Sequence, residues 1–249
     1  MAKAHVAYPD AKAFRTIMES LAKIVDEVAI HVTQESVRIR AMDPAHVALI
    51  DLILPSTSFI EYDVEGDEVV GGVSIANAFK VIKRAKKGDK LDIDIDEERI
   101  AFTIFSATTK RYRFRNIEVA EPEIPEAQLE FNVKATILSD PLKNALKDAE
   151  TVGDTLEVEA PDTEKLVLRG KGVGLTEAKF PLGSPALLEL EVKEPGKAAY
   201  SIEYLKHVLA LTKIADTVQL EFSSAMPIKL QFNLPGEGKV IYLLAPKTE

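Results

Sequence analysis

Hydrophobic and polar positions along the chain follow two periods that take turns four times. In residues 11–25, Phe14, Ile17, Met18, Leu21, Ile24 and Val25 recur at intervals of three and four, which places them on one stripe of an α-helix. Similar spacing joins Ile75, Phe79 and Ile82; Leu138, Leu142, Ala145, Leu146, Ala149 and Val152; and Leu205, Val208, Leu209 and Ile214. The predicted helices are 11–25, 74–88, 139–152 and 202–215. Each runs into an aspartate (Asp26, Asp89, Asp154 or Asp216), and these aspartates lie 62 to 65 residues apart. Alternation of apolar and other residues follows each one, in 26–32, 89–95, 154–159 and 216–222, as in a strand with one buried face. Further alternating runs at 37–40, 48–54 and 110–115 lie between the helices. The pattern predicts an α+β chain of four units, each a helix laid on several antiparallel strands.

The units also pair. Phe14, Ile17, Met18, Leu21, Ile24 and Val28 match Leu142, Ala145, Leu146, Ala149, Val152 and Leu156 at a constant shift of 128 residues, which predicts two similar domains of two units each. Between them, residues 119–126 hold two prolines and several glutamates without periodicity, and read as an extended linker. The predicted boundaries are 1–117 for the first domain, 118–129 for the connector and 130–249 for the second. With 249 residues, 46% of them hydrophobic, the chain is long enough for two cores of this size. It has no cysteine, which excludes disulfides, thiolate metal sites and cysteine nucleophiles. No run of about 18 apolar residues occurs, so no membrane span is expected. The first residues lack the apolar stretch of a signal peptide, and the expected location is the cytoplasm.

A net charge of −9 by itself argues against a polyanionic partner. The distribution reverses that inference. The four predicted helices sum to +7, so the remaining residues hold −16 (−9 less 7). Their basic residues Lys12, Arg15, Lys80, Lys83, Arg84, Lys87, Lys143, Lys147, Lys206 and Lys213 stand off the apolar stripes, on shared faces at spacings of three, four or seven. Solvated helix faces often carry lysine, and that suffices for any one helix. Four equivalent faces in so acidic a chain fit a shared surface for phosphates, with negative surface elsewhere repelling nucleic acid from wrong faces. No aromatic side chains interleave the lysines, so stacking on single strands is not expected. Backbone contact to a duplex, without base reading, fits better.

Helices pack about 8–10 Å apart, so four leave essentially no hole, whereas twelve close around an opening of roughly 25 Å, enough to pass a duplex. Three copies side by side would supply twelve. Edge strands would have to join them. Residues 110–115 alternate strong base with aromatic, which suits either a charged protective edge or a pairing edge. In the second case Lys110, Tyr112 and Phe114 meet Leu175, Glu177 and Lys179 of the run 174–181 in a neighbouring copy, head to tail.

Four motifs then point to a known family: Ala41-Met-Asp-Pro-Ala-His-Val-Ala-Leu-Ile-Asp-Leu52, Ile124-Pro-Glu126, Ser224-Ala-Met-Pro227 and Tyr242-Leu-Leu-Ala-Pro-Lys247. In these, in their order and in overall length, the chain resembles the sliding clamps, or proliferating cell nuclear antigens, especially those of archaeal type. The resemblance implies a DNA clamp fold with two similar domains per subunit and a ring of three subunits, homotrimeric or heterotrimeric. Helices would line the hole and sheets face outward. It also implies a non-catalytic processivity factor for replication and repair, without metal or cofactor and associated with the nucleoid. Such a ring encircles duplex DNA without sequence preference and raises the effective concentration of DNA polymerase, clamp loader, flap endonuclease and DNA ligase. The family's DNA-facing positions fall on Arg15, Lys80, Lys83, Lys147 and Lys213, while Asn144 stands where relatives often place a base. The helix-face spacing adds Lys12, Arg84, Lys143 and Lys206. The family's pocket for client peptides falls on Met42, His46, Val47, Leu49, Ile124, Pro125, Leu129, Pro227, Leu243, Ala245, Pro246 and Lys247. Leu129 replaces a tyrosine of some relatives, which alters the fit of clients.

Other signals are weaker. The run Gly170-Lys-Gly-Val-Gly174 lacks the spacing of a nucleotide fingerprint and no helix follows it, so it reads as a turn. Asp92, Asp94, Asp96, Glu97 and Glu98 superficially suggest a calcium loop, but Glu97 occupies the place of the tight-turn glycine. His5, His31, His46 and His207 have no metal-ligand spacing, and no serine sits in a nucleophile elbow. The competing functions are an acidic interaction scaffold that never binds DNA and an enzyme whose site has no sequence signature.

Overall fold

The computed structural model describes residues 3–121 and 129–247. The chain forms two compact units. One comprises Met1–His46, Ile50–Glu123 and Leu234–Val240, and the other Val47–Leu49, Ile124–Asn233 and Ile241–Glu249.

The first unit contains β1 (Ala4–Tyr8), α1 (Ala11–Leu21), β2 (Glu27–Thr33), β3 (Ser36–Met42), β4 (Ala48–Pro55) from Ile50 on, β5 (Glu61–Val64), β6 (Glu68–Ser74), α2 (Ile75–Ile82), β7 (Lys90–Ile95), β8 (Arg99–Phe105) and β9 (Thr109–Arg115). A five-stranded sheet runs β5-β1-β7-β8-β9, and β4, β3, β2 and β6 lie side by side in that order. The two helical stretches exchange partners. β1, which leads into α1, pairs antiparallel with β7, which follows α2; β6, which leads into α2, pairs antiparallel with β2, which follows α1. The Ala11 amide donates to the Asp89 carbonyl and the Ile75 amide to the Asp26 carbonyl, at 2.9 and 2.8 Å. Each helix start is thereby satisfied by the exit of the other helical stretch.

The second unit repeats this plan with β10 (Val133–Leu138), α3 (Ser139–Val152), β11 (Thr155–Ala160), β12 (Lys165–Lys171), β13 (Leu175–Pro181), β14 (Leu187–Val192), β15 (Gly196–Ser201), α4 (Ile202–Leu205), β16 (Thr217–Phe222), β17 (Ile228–Asn233) and β18 (Lys239–Leu244). Its strands run β13-β12-β11-β15 and β14-β10-β16-β17-β18. β10 pairs with β16 and β11 with β15. The Ser139 amide donates to the Asp216 carbonyl and the Ile202 amide to the Asp154 carbonyl, both at 2.9 Å. The four regularly spaced aspartates of the sequence are therefore the four crossing points of the two exchanges.

α3 spans the predicted residues 139–152, and the other three helices depart from the predicted lengths for local reasons. α1 is capped by the Asp10 carboxylate, which accepts from the Ala13 amide at 3.0 Å. It ends at Leu21 in tightened bonds from Lys23 to Ser20 and from Ile24 to Leu21. α2 stops at Ile82 instead of continuing to 88. Extending it would stack Lys80, Lys83, Arg84 and Lys87 at like-charged helical spacings. The fourth helix is a single α-turn, and a 3-10 segment, Leu209–Lys213, follows it. Tyr204 and His207 pack ring against ring at 5.3 Å, the i to i+3 contact that a 3-10 turn favours. Branched Val208, Thr212 and Ile214 weaken the α-form further, and the Thr212 hydroxyl donates to the Leu209 carbonyl at 2.7 Å.

Both predicted edges are edges. β9 ends the five-stranded sheet and β13 ends the four-stranded one, and Leu175 on β13 is 65% exposed. The glycine run 170–174 is the turn between β12 and β13. Asp92 and Asp94 lie on β7, where Asp94 meets His5 at 2.7 Å and Arg111 at 3.0 Å.

Residues 116–121 follow β9 and run beside β6. The Ile117 amide donates to the Gly72 carbonyl at 3.1 Å, and the Gly72 amide to the Asn116 side-chain oxygen at 2.8 Å. Asn116 Nδ2 donates to the Val70 and Asp96 carbonyls. His31 bridges Glu68 at 2.7 Å and Glu121 at 2.9 Å. Only glycine fits at 72, because a Cβ there would overlap the Ile117 carbonyl oxygen.

Candidate nucleic-acid interface

In the first unit α1 packs against α2. Phe14, Ile17, Met18 and Leu21 of α1 and Ile75, Ala78 and Ile82 of α2 are buried, so the predicted apolar stripes face the core. Phe79 is only partly covered. Lys12, Lys80, Lys83 and Arg84 are exposed, and none pairs with a carboxylate among the described residues. Arg15 differs. It is half-buried, and its Nη1 donates to the Ala85 carbonyl at 2.9 Å and to the Lys83 carbonyl at 3.5 Å.

In the second unit α3 packs against α4 and the 3-10 segment. Its basic face is partly compensated: Lys143 pairs with Asp140 at 2.9 Å, and Lys206 with Glu150. Lys147, Lys213 and Asn144 are exposed. Uncompensated positive charge therefore concentrates on the first unit's helices.

Of the described peptide-pocket positions, eight belong to the second unit: Val47, Leu49, Leu129, Pro227, Leu243, Ala245, Pro246 and Lys247. The Ala245 amide donates to the Val47 carbonyl at 2.9 Å, and the Lys247 amide to the Ala199 carbonyl at 2.8 Å. Leu49 is buried and Val47, Leu129, Pro227, Leu243, Ala245 and Pro246 are half-buried, leaving apolar surface within reach of a ligand. Pro246 and Lys247 line an open cavity of about 460 Å³ with Glu157, Lys197, Ala198, Ala199 and Ala225. Ala225 lies within the Ser224–Pro227 motif, but nothing in the sequence signalled the other four, since β11 and β15 are far apart in the chain. Met42 and His46 belong to the first unit, where the Asp43 carboxylate holds the loop by accepting from the Ala45 amide at 3.0 Å. Ile124 and Pro125 lie outside the described residues.

Glu157 forms a charged wall of that cavity, almost wholly covered and ringed by Lys171, Lys197 and Arg169. Burial pushes its carboxyl up, but hydrogen bonds from Lys171 and Lys197 outweigh burial and hold it below the usual carboxylate range.

Two α+β units, each exchanging helix starts and strands in this way, define the DNA clamp fold. Comparison with known proteins agrees. Residues 4–124 match the N-terminal domain of proliferating cell nuclear antigen, and residues 172–247 match its C-terminal domain. The DNA polymerase sliding clamp 1 of Aeropyrum pernix is 40% identical over 243 residues, 96% of this chain and 98% of that protein. The sliding clamp of Pyrococcus abyssi is 35% identical over 246 residues, 98% of each chain. Among solved structures, the PCNA2-PCNA3 complex from Sulfolobus tokodaii superposes with a TM-score of 0.92 at 31% identity, covering 98% of this chain and all of that one. The chain belongs to the proliferating cell nuclear antigen family.

Proposed function

We propose that this chain is a subunit of a DNA polymerase sliding clamp, a ring that encircles duplex DNA and keeps replication and repair proteins beside it. The observation that carries this reading is the set of exposed cations on α1, α2 and the loop after α2 that pair with no carboxylate among the described residues, in a chain whose net charge is −9. On this reading Lys12, Lys80, Lys83 and Arg84 of the first unit and Lys143, Lys147, Lys206 and Lys213 of the second face backbone phosphates, and Arg15 belongs to the same face. Weak, salt-sensitive contacts of this kind let a ring slide. The role is topological and needs no bond-making chemistry.

Ring closure falls to the edges. β9, through Lys110, Tyr112 and Phe114, pairs with β13 of the next subunit, through Leu175, Glu177 and Lys179; exposed Leu175 and the alternating base–aromatic face supply the apolar contact. Residues 118–129 act as the connector between clamp domains 1–117 and 130–249. Apolar anchors of polymerase, clamp loader, flap endonuclease and ligase peptides dock on Val47, Leu49, Leu129, Pro227, Leu243, Ala245, Pro246 and Lys247 of the second unit. No helix among the described residues is long and apolar enough to cross a membrane.

Light scattering on the purified protein tests the assembly. A self-sufficient ring has a mass about three times 27.4 kDa. A stable monomer that trimerises only with paralogous chains assigns this subunit to a mixed ring. A mass that never rises to that of a trimer in any combination contradicts the reading.

A further inference from the structure

His31 stands on β2, in register with Arg38 of β3 and Val70 of β6. Its two ring nitrogens meet different carboxylates: Nδ1 lies 2.7 Å from Glu68 Oε1, and Nε2 lies 2.9 Å from both oxygens of Glu121. Glu68 begins β6, whereas Glu121 belongs to the start of the connector. A neutral imidazole has one N–H and one lone pair, so it satisfies one carboxylate and repels the other. Only the imidazolium donates to both at once. No other cation takes its place. Arg38 is engaged by Asp51 of β4 in bonds of 2.9 and 2.6 Å, and Arg40 also turns to Asp51. Residues 116–119 and Glu121 border an open cavity of about 410 Å³ with Ala29, Val70, Gly72 and Glu97, and no lysine or arginine lines it. The segment is thus fastened at its near end by the Asn116 and Ile117 bonds to β6, and at its far end by His31.

We propose that His31, as the imidazolium, is a positioning residue for client binding: it ties Glu121 to Glu68 and so fixes the course of the connector that follows. The inference rests on the sliding-clamp reading. Ile124 and Pro125, the connector positions that the family resemblance gives to client peptides, stand three and four residues beyond Glu121 in the chain. A connector fixed at Glu121 has fewer conformations to lose when a peptide orders it, so affinity rises with closure of the tie. The charged groups around the ring set the sign of its pH dependence. Glu68 and Glu121 favour the proton directly, with Glu97 and Glu118 on the cavity beside them, while Arg38 opposes it and is itself offset by Asp51. The closed tie therefore binds its proton more tightly than the open form does. Closure is favoured on the acid side and lost as pH rises through the range in which histidine changes charge.

The test is amide hydrogen exchange of the full-length protein from about pH 5.5 to about 8.5, which brackets the histidine range. Protection of residues 116–121 is taken relative to the intrinsic rate at each pH. Wild-type protection falls roughly three- to tenfold across that span, the range for one or two charge-assisted bonds at a partly exposed site. Affinity for a histidine-free synthetic peptide with the apolar anchors of a polymerase client, read by calorimetry, weakens by a similar factor. His31→Gln shows the low protection at every pH. It keeps His5, His46 and His207, so any dependence that survives in it belongs to those. His31→Lys carries a cation throughout and restores protection and affinity at the alkaline end, which a mere loss of packing would not allow. Flat wild-type protection, or a His31→Gln profile that matches the wild type, refutes the tie. Protection that falls while affinity stays constant refutes its part in client binding. In both cases peptide binding itself leaves the sliding-clamp reading standing. A protein that binds no such peptide at any pH contradicts that reading, and the positioning role falls with it.

Discussion

A chain carrying Lys80→Glu, Lys83→Glu and Arg84→Glu loses polymerase stimulation on long templates and unfolds at nearly the same temperature as the wild type. Each reversal removes a cation that pairs with no carboxylate among the described residues and installs an anion opposite the phosphates. Losing three contacts lowers the salt slope by about 2.7 for each subunit touching DNA, before any repulsion is counted. Because these side chains are exposed, each change costs about 0.5 kcal/mol or less of stability. The contrast lies in the second unit. Lys143→Glu and Lys206→Glu have smaller effects, because Asp140 and Glu150 already offset those charges. Primer-extension length at rising salt, read beside a thermal melt, checks both parts. Undiminished stimulation by the triple variant would favour a scaffold that never holds DNA.

Gly72→Val damages the first unit and the start of the connector together. Any Cβ at 72 would collide with the Ile117 carbonyl oxygen and approach Val119 Cγ2 at 3.0 Å. Residues 116–121 must then leave β6, losing the Ile117–Gly72 and Asn116–Gly72 bonds and the His31–Glu121 contact. At about 1 kcal/mol per hydrogen bond plus the strain of the clash, the loss is roughly 3 kcal/mol. For a unit of about 120 residues that corresponds to a fall of 10 °C or more in Tm. Client-peptide affinity, measured by calorimetry below the melting range, falls at least tenfold, while the salt slope for DNA is retained. A normal melt with normal peptide binding would show that the connector is not held through this contact.

The repeat was legible because its physical causes leave a period in the chain. Buried stripes such as Phe14-Ile17-Met18-Leu21 must recur at helical spacing, and strands with one wet face must alternate. The four aspartates were visible as a spacing, yet their meaning was not: each lends a backbone carbonyl to the other helix start of its own unit, and a carbonyl has no sequence signature. The end of α2 was misjudged because basic residues continue at helical spacing to Lys87, whereas the helix ends at Ile82 and the Lys86 amide donates to the Asp89 carboxylate in the loop beyond it. The same error obscured the loop 83–87 as an element distinct from α2. Arg15 looked like its neighbours on the face, since nothing in the sequence tells a cation facing solvent from one facing a carbonyl. Compensation of Lys206 by Glu150 was likewise hidden, joining residues on two helices distant in the chain. The peptide positions came from motif resemblance, and their cavity partners Ala198 and Ala199 lie in none of the four motifs.

The most direct measurement of encirclement is retention of the loaded protein on closed circular duplex before and after a single restriction cut. Threaded rings stay on the circle at salt concentrations that abolish phosphate contacts, and slide off once the DNA has ends. Protein that dissociates equally from circular and linear DNA at every salt concentration is bound by charge alone, and the ring account would be wrong.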